Sequence, residues 1–378
     1  MFYLQIKGKG GVMRGDEERQ EGFIMLTSLE DRIPTDHPLR AVRRMVDEAL
    51  GEMRPLLDSL YAQRGRVSIP PEYLLRAQLL QILFAIPSER RLCEHLEYNL
   101  LFRWFVGLPL SEAVWHPTTF TKNRDRLLTS EVAEQFFEHI RGEAEARKLL
   151  SREHFSCDGT LLEAAASLKS FRPKNEDGDG DGGPPGGGGR NPDVSFHGTK
   201  RTNATHASTT DPDARLCRIK GKEAKLAYRG HLLVENRHGL IVSAALTTAT
   251  GTAEVEAALG LLAKEREHRR GRLTVGADRG YNTRSFVAAA RTLNITPHVA
   301  EKKRYSAIDQ RTTTWEGYAV SLRRRKIVEE AFGWMKTVGG LRKLRHRGEV
   351  KVRAVFTFTC ACFNLVRLRN LEAELASG

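Results

Sequence analysis

The sequence predicts a mixed α/β fold preceded by an all-helical N-terminal domain, and three observations carry that expectation. From Leu29 to about Leu150, apolar residues recur at three- and four-residue steps, the period of helices with one buried face. From Glu153 to Val299, short apolar and β-branched runs alternate with longer amphipathic stretches, the order of a mixed sheet flanked by helices. Between Asp177 and Arg190 the chain reads D-G-D-G-D-G-G-P-P-G-G-G-G-R, whose eight glycines would lose too much entropy to form a regular element. These patterns set the expected limits: a tail over 1–24, a helical domain over 25–150, and an α/β domain over 151–371 with a flexible insert at about 172–225.

The elements follow in order. Residues Met1 to Phe23 lack sustained periodicity, and Met13 or Met25 is an alternative start. Leu39, Val42, Val46 and Leu50 mark one helix, and Pro70-Pro71 opens another with Leu74, Leu75, Leu79, Ile82 and Leu83 on its stripe. Pro87-Ser88-Glu89 restarts a helix through Leu92, Leu96, Leu100 and Leu101, and Phe102, Trp104 and Phe105 are expected in the core. A threonine-capped helix is expected after His116-Pro117, and it shows Lys122, Arg124 and Arg126, a face for DNA or for water. His154 to Cys157 is a strand that Asp158-Gly159-Thr160 should end with a turn. In the insert, the alternating aspartates lack the flanking helices and closing Glu of a calcium loop. The polar stretch up to Lys225 is expected to loop over the substrate.

Tyr228–Glu235 and Leu240–Thr248 form a hairpin, and Ala253–Glu267 an amphipathic helix. Leu273–Ala277 is a strand that Arg279-Gly280 breaks, which sets Asp278 at its carboxyl end, where open α/β sheets hold ligands. A helix through Phe286–Leu293, a strand at Ile295–Val299, a basic helix over Arg323–Val338 and an apolar core helix around Ala354–Val366 complete the chain.

A formal charge of +13 favours a polyanionic partner. Five cysteines without CxxC spacing argue against a disulfide scaffold and for a reducing, cytoplasmic setting. The Ala354–Val366 run is too short and too polar to span a bilayer.

Three carboxylates then stand out: Asp158 and Asp278 at strand ends, and Glu329 on the basic helix. At 3.6 residues per turn, Arg325, Glu329 and Lys336 share one helix face within about 40°. A bland reading of that face is a solvated i, i+4 ion pair. Its surroundings favour phosphate contacts, because Arg323–Lys351 holds ten Lys and Arg against three Glu and runs into Arg342, Lys343, Arg345 and Arg347.

Asp158-Gly159-Thr160, Asp278-Arg279-Gly280-Tyr281 and the Arg325, Glu329, Lys336 spacing resemble the motifs of the DDE transposases of bacterial insertion sequences, the IS-five-like group in particular. The opening Ser28–Pro34 with Asp36–Arg40 is similar as well, so the resemblance covers roughly Leu26–Asn370. The group's last motif also places a tyrosine with two residues between it and the arginine; Leu322 stands there, and the nearest tyrosine is Tyr318. The resemblance implies a ribonuclease-H-like catalytic fold and a helical domain that binds transposon ends or dimerises. It implies that Asp158, Asp278 and Glu329 are catalytic and hold Mg²⁺ or Mn²⁺, two ions in all, while Arg325, Lys336, Arg342, Lys343, Arg345 and Arg347 contact DNA. Double-stranded DNA and a second copy of the chain are the implied partners. Rival readings are a nuclease or junction resolvase of the same fold, which hydrolyses without joining, and an inactive DNA-binding regulator.

Overall fold

The computed structural model describes residues 28–62, 64, 68–174, 201–218, 223–250 and 253–377. The tail, the alternative start codons and the glycine-rich block of the insert lie outside them.

Helices α1 (Leu29–Arg32), α2 (Leu39–Glu52), α3 (Arg54–Ser59), α4 (Pro71–Leu83), α5 (Glu89–Tyr98), α6 (Leu100–Val106), α7 (Thr118–Leu127) and α8 (Ser130–Ala146) precede the first strand. Their starts are local chemistry: Ser28 and Asp31 form a reciprocal capping box, and Ser88 accepts the N–H of Arg91. Leu39, Val42, Val46 and Leu50 are all buried, as the spacing requires. Two expectations are corrected. The run from Leu92 to Leu101 is two helices, because the extended Asn99 turns its side chain onto the N–H groups of Leu101 and Phe102 and starts α6 afresh. Helix α7 has Pro117 at its cap position with no side-chain cap, and the His116 ring instead accepts the N–H of Thr118.

The α/β part runs β1 (His154–Glu163), β2 (Phe171–Pro173), β3 (His206–Ser208), β4 (Arg215–Cys217), β5 (Lys225–Glu235), β6 (Ile241–Thr248), α9 (Ala253–His268), β7 (Leu273–Ala277), α10 (Arg284–Thr292), β8 (Ile295–Val299), α11 (Gln310–Thr313), α12 (Glu316–Arg324), α13 (Ile327–Thr337) and α14 (Glu349–Ser377). The sheet is mixed. β5 lies antiparallel to β1 on one edge and to β6 and the short β4 on the other, while β1, β7 and β8 run parallel. The stretch expected to loop over the substrate is partly regular among the described residues: β2 pairs with β3 across the foot of the insert, and β4 joins the sheet.

Three further boundaries differ from expectation. Asp158-Gly159-Thr160 is not a turn, because β1 continues to Glu163 with its backbone paired to β5 from Phe155↔Glu235 to Glu163↔Ala227. The basic helix is two helices meeting at Arg325-Lys326, where Val328 and Glu329 donate their N–H groups three residues back, a tightened turn between α12 and α13. The last helix is far longer than its apolar centre and, at 29 residues, extends about 43 Å. It packs against α2, α4, α8, α13 and β6, and so belongs to the cores of both parts. Phe356 lies over β5, where a Cβ on Gly230 would come within 2.5 Å of its ring. Among the described residues no helix is long and apolar enough to cross a membrane. All five cysteines are free, and Cys360 and Cys362 are buried in α14.

A buried ionic cluster also joins the two parts. Glu265 of α9 is 1% exposed and lies between Arg269, at 2.8 Å, and Arg141 of α8, at 3.2 Å.

Candidate active site

β1 and β7 pair in parallel from His154↔Thr274 to Ser156↔Gly276. Carried two residues further, the same register sets Asp158 level with Asp278. There the strands part: β1 goes on against β5, while the chain after β7 turns into a 3₁₀ turn at Arg279–Tyr281. Both aspartates thus lie just past the paired part of the parallel strands, near enough for Asp278 to raise the Asp158 carboxyl, where neighbouring strands diverge.

Each carboxylate is oriented locally. Gly280 donates its N–H to Asp278 Oδ1 at 2.7 Å, and a Cβ at that position would lie 2.9 Å from the same oxygen, so the glycine admits the close approach. Gly159 donates to Asp158 Oδ1 at 2.8 Å. On the opposite face of β1, a Cβ at Gly159 would meet His231 Nδ1 at 3.1 Å and Glu254 Cγ at 3.2 Å, so this glycine lets α9 seat closely. Glu254 is ion-paired to Arg229 there, and His231 is buried with its Nε2 on Thr247. Sequence reasoning had missed these supporting residues. The polar side chains interrupting the otherwise apolar β5 were the available signal.

Helix α13 packs on β1 and β5 and brings the remaining motif residues. Lys336 donates to Thr160 Oγ1 at 2.5 Å, which fastens the helix to the D-G-T stretch on the face of β1 that carries Asp158. Two turns earlier lies Glu329, in the first turn of α13 with its side chain 55% exposed, 3.4 Å from Arg325. Burial is the largest influence on Asp158, raising its carboxyl to about 6; Gly159 opposes this, Asp278 and Glu329 add to it and Arg325 subtracts. Asp158 thus feels the charge of both other carboxylates. Among the described residues, though, no three His, Cys, Asp or Glu side chains are drawn together tightly enough to cage an ion.

The four basic residues beyond Gly340 divide. Lys343 stands 3.8 Å from Glu163, and Arg345 donates to the carbonyl of Ile86 at 2.9 Å, so both have intramolecular partners. Arg342 and Arg347 are exposed.

A family model described as a transposase DDE domain matches residues 154–365, more than half of the chain. The chain belongs to the DDE transposase family. A second model, described as a transposase domain (DUF772), matches residues 27–126, the stretch of α1 to α7. No curated protein matches the sequence. Among solved structures, a piggyBac transposase synaptic complex with hairpin DNA is 9% identical, with 89% of this chain and 76% of that one covered at a TM-score of 0.42. The Mos1 strand transfer complex is 13% identical, with 81% and 98% covered at a TM-score of 0.20. Both are distant likenesses of this DDE transposase.

Proposed function

We propose that this transposase cuts DNA at the ends of an insertion sequence of the IS-five-like group and joins the freed 3′ ends to target DNA. The observation that carries the reading is the level placement of Asp158 and Asp278 on neighbouring parallel strands, with Glu329 close enough to raise the Asp158 carboxyl. The strand order β6-β5-β1-β7-β8, three antiparallel strands followed by two parallel ones, supports a ribonuclease-H-like catalytic domain over 151–371. The helices of 25–150 form a second domain, for end binding or dimerisation.

The donor set suits a hard divalent cation, since all three groups are carboxylates and the Asp158 carboxyl is raised by burial and by the charges of Asp278 and Glu329. Asp158, Asp278 and Glu329 are the residues that would hold Mg²⁺ or Mn²⁺, with Glu329 leaving Arg325 to do so. Two such ions, when bound, would activate the attacking oxygen and stabilise the leaving one. The chain's own groups have separate tasks. Asp158 must be deprotonated to serve. Gly280 and Gly159 fix the orientation of the two aspartates through their N–H groups. Arg325 and Lys336 position backbone phosphate without reading sequence. Double-stranded DNA is the partner, the working form is a homodimer on DNA, and the setting is the bacterial cytoplasm.

A supercoiled plasmid bearing the DNA that flanks the gene, incubated with protein and Mg²⁺, tests this. Cleavage at the ends followed by joining is expected from the wild type and from none of Asp158→Asn, Asp278→Asn or Glu329→Gln. Hydrolysis without joining would move the chain to the nuclease reading, and undiminished cleavage by the three variants would remove the site assignment.

A further inference from the structure

Helix α7 presents two faces of different chemistry. Phe120, Asn123, Arg124 and Leu127 turn inward and, with His346, line one small cavity; Arg124 is held by Glu89 of α5 at 2.6 Å. The outward stripe at steps of three and four is Thr118, Thr121, Lys122, Asp125 and Arg126, all exposed and all polar. Its one acidic member is neutralised, since Asp125 Oδ1 is 2.5 Å from Lys351. Arg126 lies over the Tyr61 ring at 4.4 Å. The stripe thus offers hydroxyls and two cations on a helix of 10 residues, about 15 Å long.

This helix is coupled to the catalytic strand. Leu344 donates to the carbonyl of Glu163 at 2.8 Å, and Lys343 bridges Glu163 in parallel, so the segment after α13 is fastened to the last residue of β1. Arg345 then bonds to Ile86, and His346 inserts against the inner face of α7. From Asp158 to Glu163 the strand advances about 17 Å, roughly half a turn of duplex DNA. Lys336 stands on Thr160 and Lys343 on Glu163 along that path, and the segment that carries the exposed Arg342 and Arg347 leads from Glu163 to α7 through His346.

We propose that the outer face of α7 reads base pairs in the groove of the transposon end, inward of the cut, and that Arg342 and Arg347 carry the phosphate backbone from the catalytic crevice to it. The proposal rests on the transposase reading above. It assigns Thr121 and Lys122 to sequence recognition and the 342–347 segment to sequence-independent grip. A helix with this stripe fits the major groove, about 12 Å wide, where hydroxyl and ammonium groups meet base-edge acceptors.

The experiment compares binding of two duplexes of equal length, one cut from the DNA flanking the gene and one with its bases shuffled, across a salt series. The proteins are the full-length wild type, the surface double variant Thr121→Ala/Lys122→Ala, and Arg342→Ala/Arg347→Ala. The α7 variant should lose tenfold or more of the preference for the flanking duplex, with the slope of log affinity against log salt changing by less than about 1. The arginine variant should weaken both duplexes alike and lower that slope by about 2. A preference retained within twofold by the α7 variant overturns the assignment. So does a change in that variant's oligomeric state by sedimentation without DNA, which would make the stripe a contact between copies. Wild-type protein that binds neither duplex overturns the transposase reading and this inference with it.

Discussion

Among the described residues, the charged cluster around the buried Glu265 and the one around the half-buried Asp158 are built in opposite ways. Around Glu265 each charge has an opposite partner: Glu265 lies between Arg141 and Arg269, Arg141 also meets Glu138 at 2.8 Å, and Arg269 also reaches the carbonyl of Ser151. Around Asp158 the balance is different: burial raises its proton affinity most, Asp278 and Glu329 add to it, and the Gly159 N–H and Arg325 oppose it. A compensated cluster holds parts together. An uncompensated one stores negative potential that a cation can relieve, and such imbalance is the electrostatic mark of a working site.

Activity separates the two clusters most clearly. Asp158→Asn and Asp278→Asn remove charge from the open cluster and should each lower end cleavage by roughly 10³-fold or more while DNA binding by gel shift is retained. Cleavage within tenfold of wild type would deny the open cluster its role. The closed cluster answers in stability instead. Glu265→Ala leaves the buried Arg269 without a carboxylate and Arg141 with Glu138 alone, and should cost about 3–5 kcal/mol in urea unfolding, against a negligible effect if the cluster were solvated.

A smaller effect of opposite sign sharpens the contrast. Folded, metal-free protein holds a proton on Asp158 up to about pH 6, whereas the unfolded chain releases it near the ordinary Asp value, around pH 4. The folded state binds more protons across that window. Stability contributed by this group is therefore present below pH 4, falls as pH rises to 6 and stays lost above it, by ~3 kcal/mol. Asp158→Asn keeps the bond from Gly159 and removes the titration, so without metal it should be more stable than wild type at pH 8 and equal to it at pH 4. Equal melting curves at pH 8 would show that the site carries no such strain. Least of all, Lys343→Ala cuts a long, exposed pair with Glu163 and should change the melting free energy by under about 0.5 kcal/mol.

Much of this was legible beforehand, for reasons that lie in local chemistry. Periodicity located α2, α4, α9 and the β5–β6 hairpin, and the break after Ala277 placed Asp278 correctly, because Arg279-Gly280 does end the strand. Asp158 was read as a strand end because D-G-T is turn chemistry when isolated. Pairing with β5 overrides that preference, and Gly159 serves close packing against α9 rather than a turn. The junction at Arg325-Lys326 was invisible, since both residues stay helical in their dihedrals and only the hydrogen bonds shorten their span. The tie between Lys336 and Thr160 joins residues 176 positions apart, and no local pattern encodes such a meeting.

The position of α14 in the chain has a consequence for how the protein is made. It follows every element it covers, and the buried faces of α8 and β6 stay open until its 29 residues have emerged and docked. A ribosome halted between Thr248 and Glu349 therefore carries a chain with both apolar seams uncovered, open to chaperones and proteases. Emergence of α14 and closure of these two seams become a single event.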